Sequence, residues 1–245
     1  MRCVIITPYY REPREWLQRC LDSVRNQTIA TDHILVADGH AQDWIDGTGV
    51  RHLRLDRPHA DCGNTPRAIG AMVGVAEHYD GIGFLDADNW LEPDHIESCL
   101  DTLRAAADPG DIDYVIARRH LRRPDGTIMP IQTRPVEELV DTNCFFFLAG
   151  AHYLLPYYGI MPKPLAPVGD RAFYNTLRSR GLKPAVNAKV TVNYLCTYQS
   201  FYLALGETPP PFAKPNVDVL AINAWMETLG PKERLRVQRL MGVVV

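Results

Sequence analysis

The sequence predicts an α/β fold whose first half is a parallel, right-handed βαβ arrangement and whose second half departs from that alternation. Three observations carry this. Short apolar or β-branched runs end on polar residues at Thr7, Asp38 and Asp86, segments with helical spacing separate them, and after Leu103 the alternation gives way to strands joined by turns. Ligands of a parallel sheet gather outside the carboxyl ends of its strands, so these three residues are expected along one rim, where they can share a ligand.

Each element follows from its pattern. Residues 2–7 form a β-branched run stopped by Pro8, and Trp16, Leu17, Cys20, Leu21 and Val24 then recur at helical spacing. Residues 33–38 (HILVAD) read as a second buried strand and 50–55 as a weaker third. Pro66 is expected to open a helix at its first position, with Ala68, Ile69, Met72, Val73 and Ala76 on one side. GIGFLDADNW follows, a short strand running directly into acids. Residues 114–120 and 127–131 read as strands joined through the turn Pro124, Asp125, Gly126. Residues 170–180 form a helix ended by Gly181, with Ala172, Phe173 and Leu177 inward, and residues 186–194 a strand. The run TPPPFAKP from Thr208 reads as a linker, and 217–240 as terminal helices broken at Gly230 and Pro231.

Bulk properties narrow the class. The 245 residues suffice for one large α/β domain or two small ones, and 46% hydrophobic with 22% charged residues carries no disordered or fibrous bias. A formal charge of -3 gives no global reason to expect nucleic acid or an anionic membrane, so any anion site must be local. Cys3, Cys20, Cys62, Cys99, Cys144 and Cys196 are scattered without metal-site spacing and are expected as reduced, buried thiols of a cytoplasmic protein. The start MRCVIITPYY reads as a strand and not as a signal peptide. The most apolar stretch, from Cys144, is broken by Gly150, His152, Pro156 and Gly159 and is expected as core and pocket wall. Arg118, Arg119, Arg122 and Arg123 and the C-terminal KERLRVQR run are expected as solvated faces, with peripheral contact at the inner membrane face left open.

Asp86-Ala87-Asp88 is the sharpest local signal. Carboxylates two apart at a strand's end can converge on Mg²⁺ or Mn²⁺ together with a diphosphate; as a turn they can instead cap the helix expected near Pro93.

VIITPYYRE, VADG around Asp38, NTPRAIG from Asn64 and FLDADNW around Asp86 resemble, in order and spacing, the nucleotide-binding half of family 2 glycosyltransferases, and VGDRAFYNTLRSRG resembles more loosely that family's acidic motif at the head of a helix. The resemblance implies a GT-A-like fold: a Rossmann-type nucleotide-sugar-binding half over residues 1–105, an acceptor-binding and catalytic half over 106–207, and a helical tail over 208–245, all in one continuous domain. It implies a donor site of Thr7, Pro8, Tyr9, Glu12, Asp38, Arg67, Asp86, Ala87 and Asp88. In it Asp38 accepts from the base, Tyr9 packs on that base, Arg67 serves the nucleotide, and Asp86 and Asp88 serve the metal. Asp170 matches the second acid of the family's pair, with Gly169 in place of the first. It is the expected base, and it can also cap its helix. The departures are Pro66 and Ala68 beside Arg67, and NYLCTYQSFY from Asn193, which lacks the His that sometimes completes the metal site.

The implied reaction is metal-assisted, inverting transfer from a nucleoside diphosphate sugar, UDP-linked, to a hydroxyl on a sugar, lipid-linked or small-molecule acceptor; a homodimer is left open. Two other readings stand beside it. A sugar nucleotidyltransferase would place a glycine-rich, Lys- or Arg-bearing loop after the first strand, where this chain has TPYYREP. A non-catalytic nucleotide-sugar-binding protein would keep the donor residues and lack a base. His152 is expected as a core residue, and Asn143 as turn chemistry before the FFF strand.

Overall fold

The computed structural model of the protein describes residues 1–132 and 135–241. Four parallel strands, β1 (Cys3–Tyr9), β2 (Thr31–Ala37), β3 (Arg51–Arg54) and β4 (Gly81–Phe84), alternate with the helices α1 (Arg14–Arg25) and α2 (Asn64–Ala76). Beyond them come β5 (Trp90–Leu91), α3 (His95–Arg104), β6 (Tyr114–Arg122), β7 (Phe145–Leu148), α4 (Tyr157–Ile160), α5 (Gly169–Ser179), β8 (Pro184–Leu195) and α6 (Gln199–Ala204), then the tail helices α7 (Val219–Thr228) and α8 (Pro231–Met241). One eight-stranded sheet, in the order β3-β2-β1-β4-β7-β6-β8-β5, unites both halves. Its character changes at β4, which pairs antiparallel with β7.

Every residue of β1 is buried, as suits a parallel strand covered on both faces. On one face α1 packs Leu17 and Leu21 with Tyr9, Leu35 and Ala37. On the other lies α2, and here two expectations fail. The helix begins at Asn64, before Pro66, and Met72 is 55% exposed, with Ala76 exposed as well. The buried side is Arg67, Ala68, Gly70, Ala71 and Gly74. A Cβ on Gly70 would stand 2.4 Å from Ile6 and one on Gly74 3.2 Å from Ile82, so the absence of side chains lets the helix sit close on the sheet. A pattern of large apolar residues selects the wrong phase for such a contact.

The second half is an aromatic core. Phe145, Phe146 and Phe147 of β7 are fully buried, and Tyr158 stacks on Phe173 at 4.2 Å. The strand expected over 127–131 is a single bridge from Ile128 to Arg122. The turn itself forms, with Gly126 N donating to Arg123 O at 2.9 Å and Gly126 at φ +85°, but Pro130 has no N–H with which to continue a ladder. The expected linker is packed: Ala213 is buried and Phe212 meets Trp16 of α1 edge-on at 5.3 Å. The tail runs past Met241 into residues outside those described. Cys62 is exposed and the other five cysteines are buried. Among the described residues no helix is long and apolar enough to cross a membrane.

Candidate active site

The turn after β4 carries Asp86, and its carboxylate is fully engaged. Oδ1 accepts from Arg67 Nη2 at 2.5 Å and Oδ2 from Asn143 Nδ2 at 3.1 Å, while Asn143 Oδ1 accepts from the Asp86 backbone N–H. Asn143 is held in turn by Asp141, whose Oδ1 accepts from its Nδ2 at 2.6 Å, and Asp141 is ion-paired with Arg119 of β6. A polar chain therefore runs from α2 to β6. Arg67, only 4% exposed, also donates to Asn64 Oδ1 at 3.0 Å and lies 5.1 Å from the Tyr158 ring centroid. Burial works against its charge, and Asp86 more than offsets this, leaving its pKa raised. Arg67 is placed to hold Asp86, and its Nε is buried without a partner.

Asp88 is the contrast. Its backbone O accepts from Arg19 Nη2 at 3.0 Å, but its carboxylate has no hydrogen-bond partner among the described residues. Burial, followed by the charges of Asp86 and Glu12, pushes its pKa up to about 8. Glu12, whose carboxylate accepts from Tyr10 N at 2.6 Å, is also raised, by burial first and by Asp86 among its further causes. Ala87 between the two aspartates is buried against the α1 face. An unpaired carboxylate among like charges is the donor chemistry a hard divalent cation satisfies. Among the described residues no three His, Cys, Asp or Glu side chains are arranged around one such ion, so a cation here would rest on Asp88 and on oxygens of a bound molecule.

The strand-end residues divide by parity. Thr7 is wholly buried, with Oγ1 2.8 Å from Nε2 of His33, a ring that burial pushes down to about 3 and keeps neutral. The Tyr9 hydroxyl lies 2.7 Å from His52 Nε2 and accepts from Gln42 N at 2.9 Å, and its ring is stacked on His52. Residues two apart in a strand share a face, and this face belongs to α1, so Tyr9's ring is covered by protein where packing on a base was expected. The exposed aromatic at this rim is Tyr10, edge-on to His40 at 4.6 Å. Pro8 lies on the opposite face, where a Cβ on Gly63 would approach it to 3.2 Å. Asp38 is buried under His59: its oxygens accept from His59 N, each at 3.1 Å, and Oδ1 from Nδ1 at 2.6 Å.

Asp170 opens α5 and accepts from Arg171 N at 2.7 Å. Burial, with Asp141 adding like charge, raises its pKa to about 6. A side chain at Gly169 would begin 3.3 Å from the Asn64 amide, so the heads of α5 and α2 meet where the resemblance implies another acid. Three of the four arginines expected on solvated faces are consumed internally: Arg119 by Asp141, Arg122 by Asn193 and Glu92, and Arg123 by Glu207. Arg118 is exposed. His152 is a core residue, 3.4 Å from Phe147 O. Sequence reasoning undervalued Asn143 and missed Asp141, His59 and Asn64; the acid-x-Asn run entering the FFF strand is the signal that could have found the first two.

Comparison with known proteins is consistent with this geometry. The model of Glycosyl transferase family 2 matches residues 4–180. Chondroitin synthase of Pasteurella multocida is 34% identical over 92 residues, 35% of this chain and 9% of that protein, and the Pasteurella multocida hyaluronan synthase matches with the same figures. The chain spans less than a third of the length of the curated relatives it matches. S. aureus TarS 1-349 in complex with UDP-GlcNAc superposes with a TM-score of 0.61 at 10% identity, over 99% of this chain and 80% of that one, a likeness of fold alone. The fold is thus mixed α/β of the GT-A type, with helices at its C-terminal end.

Proposed function

Because the chain belongs to glycosyl transferase family 2, we propose that it transfers a glycosyl group, with inversion, from a UDP-linked sugar to a hydroxyl acceptor, assisted by Mg²⁺ or Mn²⁺. The observation that carries the reading is the pairing of opposites at the β4 turn: Asp86 braced on both oxygens beside Asp88 unpartnered and raised to about 8. TarS in complex with UDP and with UDP-GlcNAc supports the class of donor. Five buried free thiols support a reducing compartment, so transfer is assigned to the cytoplasm.

Asp88 would hold the metal, which when bound neutralises charge developing on the leaving diphosphate. Arg67 and Asn143 fix Asp86 toward the donor. Asp38 orients the His59 ring through that residue's backbone N–H and Nδ1, and this pair would meet the polar edge of the uracil. Asp170 takes the proton of the acceptor hydroxyl as its oxygen attacks the anomeric carbon opposite the departing diphosphate. A carboxyl held near neutrality suits a base that must be ionised and still bind a proton strongly.

Calorimetric titration with UDP, with Mn²⁺ or with EDTA, tests the donor site. Binding that needs the metal and is lost in Asp88→Ala is the expected result, and no binding of UDP by the wild type would overturn it. Turnover tests the base: Asp170→Asn is expected to fall by about a hundredfold or more, and equal turnover removes Asp170 from the role.

A further inference from the structure

Residues 208–216 leave α6 and return as a strap beside the β4 turn. Lys214 N donates to Thr197 O at 2.8 Å, Gln199 N donates to Lys214 O at 3.0 Å, and Gln199 Nε2 to Ala213 O at 3.1 Å, so the Lys214 backbone is held from both sides. Two residues earlier, Phe212 rests on Trp16 of α1. Both anchors also hold the turn that bears the acids. One helical turn beyond Trp16, Arg19 donates to the backbone O of Asp88, and Leu195, two residues before Thr197, donates its N–H to Asn89 Oδ1 at 2.8 Å. Lys214 is set between them.

Its ammonium stands 4.9 Å from the centroid of the Tyr198 ring and forms no ion pair among the described residues. Two other cations near the turn are committed: Arg67 to Asp86 and Asn64, and Arg19 to the Asp88 backbone and the face of Trp90 at 3.7 Å. A site lined by Glu12, Asp86 and Asp88 repels a diphosphate, and one divalent cation on Asp88 only partly reverses that.

We propose that Lys214 is a ligand of the donor diphosphate, a point charge delivered by the strap to the phosphates while Asp88 serves the metal. The inference rests on the donor reading above. A lysine suits the task because its ammonium contacts phosphate oxygens without demanding a fixed planar geometry. The cation–π contact with Tyr198 keeps the ammonium near the site when no phosphate is present.

The test titrates UMP and UDP, each with Mn²⁺, into the wild type, Lys214→Met and Lys214→Arg, with thermal melting of all three. Lys214→Met is expected to weaken UDP by about tenfold or more, UMP by clearly less, and to melt with the wild type, while Lys214→Arg stays within a few-fold. UDP affinity unchanged in Lys214→Met overturns the proposal. Equal weakening of UMP and UDP also overturns it, since that assigns the strap a structural task. A wild type that binds no UDP overturns the donor reading itself, an outcome separate from the other two.

Discussion

The two aspartates of one turn lead opposite lives. Asp86 belongs to a closed chain of partners, Arg67, Asn143, Asp141 and Arg119, in which every carboxylate oxygen has a partner within the protein. Asp88 and Asp170 belong to an open set, raised to about 8 and about 6, with an unpaired lysine on the strap nearby. The closed chain is frame and the open set is working surface. Substitution should therefore separate them, the frame through folding and the surface through binding and turnover.

The largest effect should come from breaking the frame. Arg67→Met leaves Asp86 without its cation in a half-buried site and is expected to destabilise the fold by about 3 kcal/mol, read as a lowered midpoint in urea. If Arg67→Met melts like the wild type while losing UDP affinity, the division is wrong and Arg67 belongs to the ligand. Next is the pH profile of turnover. The base must be ionised, so the rate should rise with pH through about 6, and Asp170→Asn should lose that limb along with most of its activity.

A smaller effect runs against intuition. Asp88 binds its proton more tightly folded, at about 8, than unfolded, near the ordinary 3.8, so the fold loses stability as pH rises through that window. Without metal, Asp88→Asn should be no more stable than the wild type near pH 4 and more stable above pH 8, by about 1 kcal/mol after allowance for solvent screening. Melting curves across pH decide it, and a gap that opens in the acid direction would sink it. The smallest contrast lies on β6. Arg118→Ala should shift stability by less than about 0.5 kcal/mol, and Arg119→Ala, which strips Asp141 of its partner, by several times that.

Much of the frame is visible in the chain before it folds. β1, α1 and β2 follow from spacing alone, because their faces repeat with the periods that physics demands of strand and helix. The acidic turn is legible too, since both carboxylates follow directly on the end of β4. What divides Asp86 from Asp88 is not legible: it depends on Asn143, far along the chain, and on Arg67 lying under rather than over the site. Parity makes Thr7 and Tyr9 share a face, but which helix owns that face is a tertiary fact. The large apolar residues of α2 give the wrong phase because its contact with the sheet is made largely of glycine and alanine, and the run of prolines from Pro209 says where the chain is stiff but not what it rests upon.

Phe212 on Trp16 ties the late chain to the first helix, and this sets an order of events. A polypeptide emerges from the ribosome N-terminus first, so β1 to β4 and both aspartates are made long before residue 212. Until the strap emerges, Trp16 lacks its cover and the acids lack Lys214. The acidic turn is therefore completed only by a segment made well after β8, and a nascent chain halted between β8 and the strap would carry the sheet without a complete mouth.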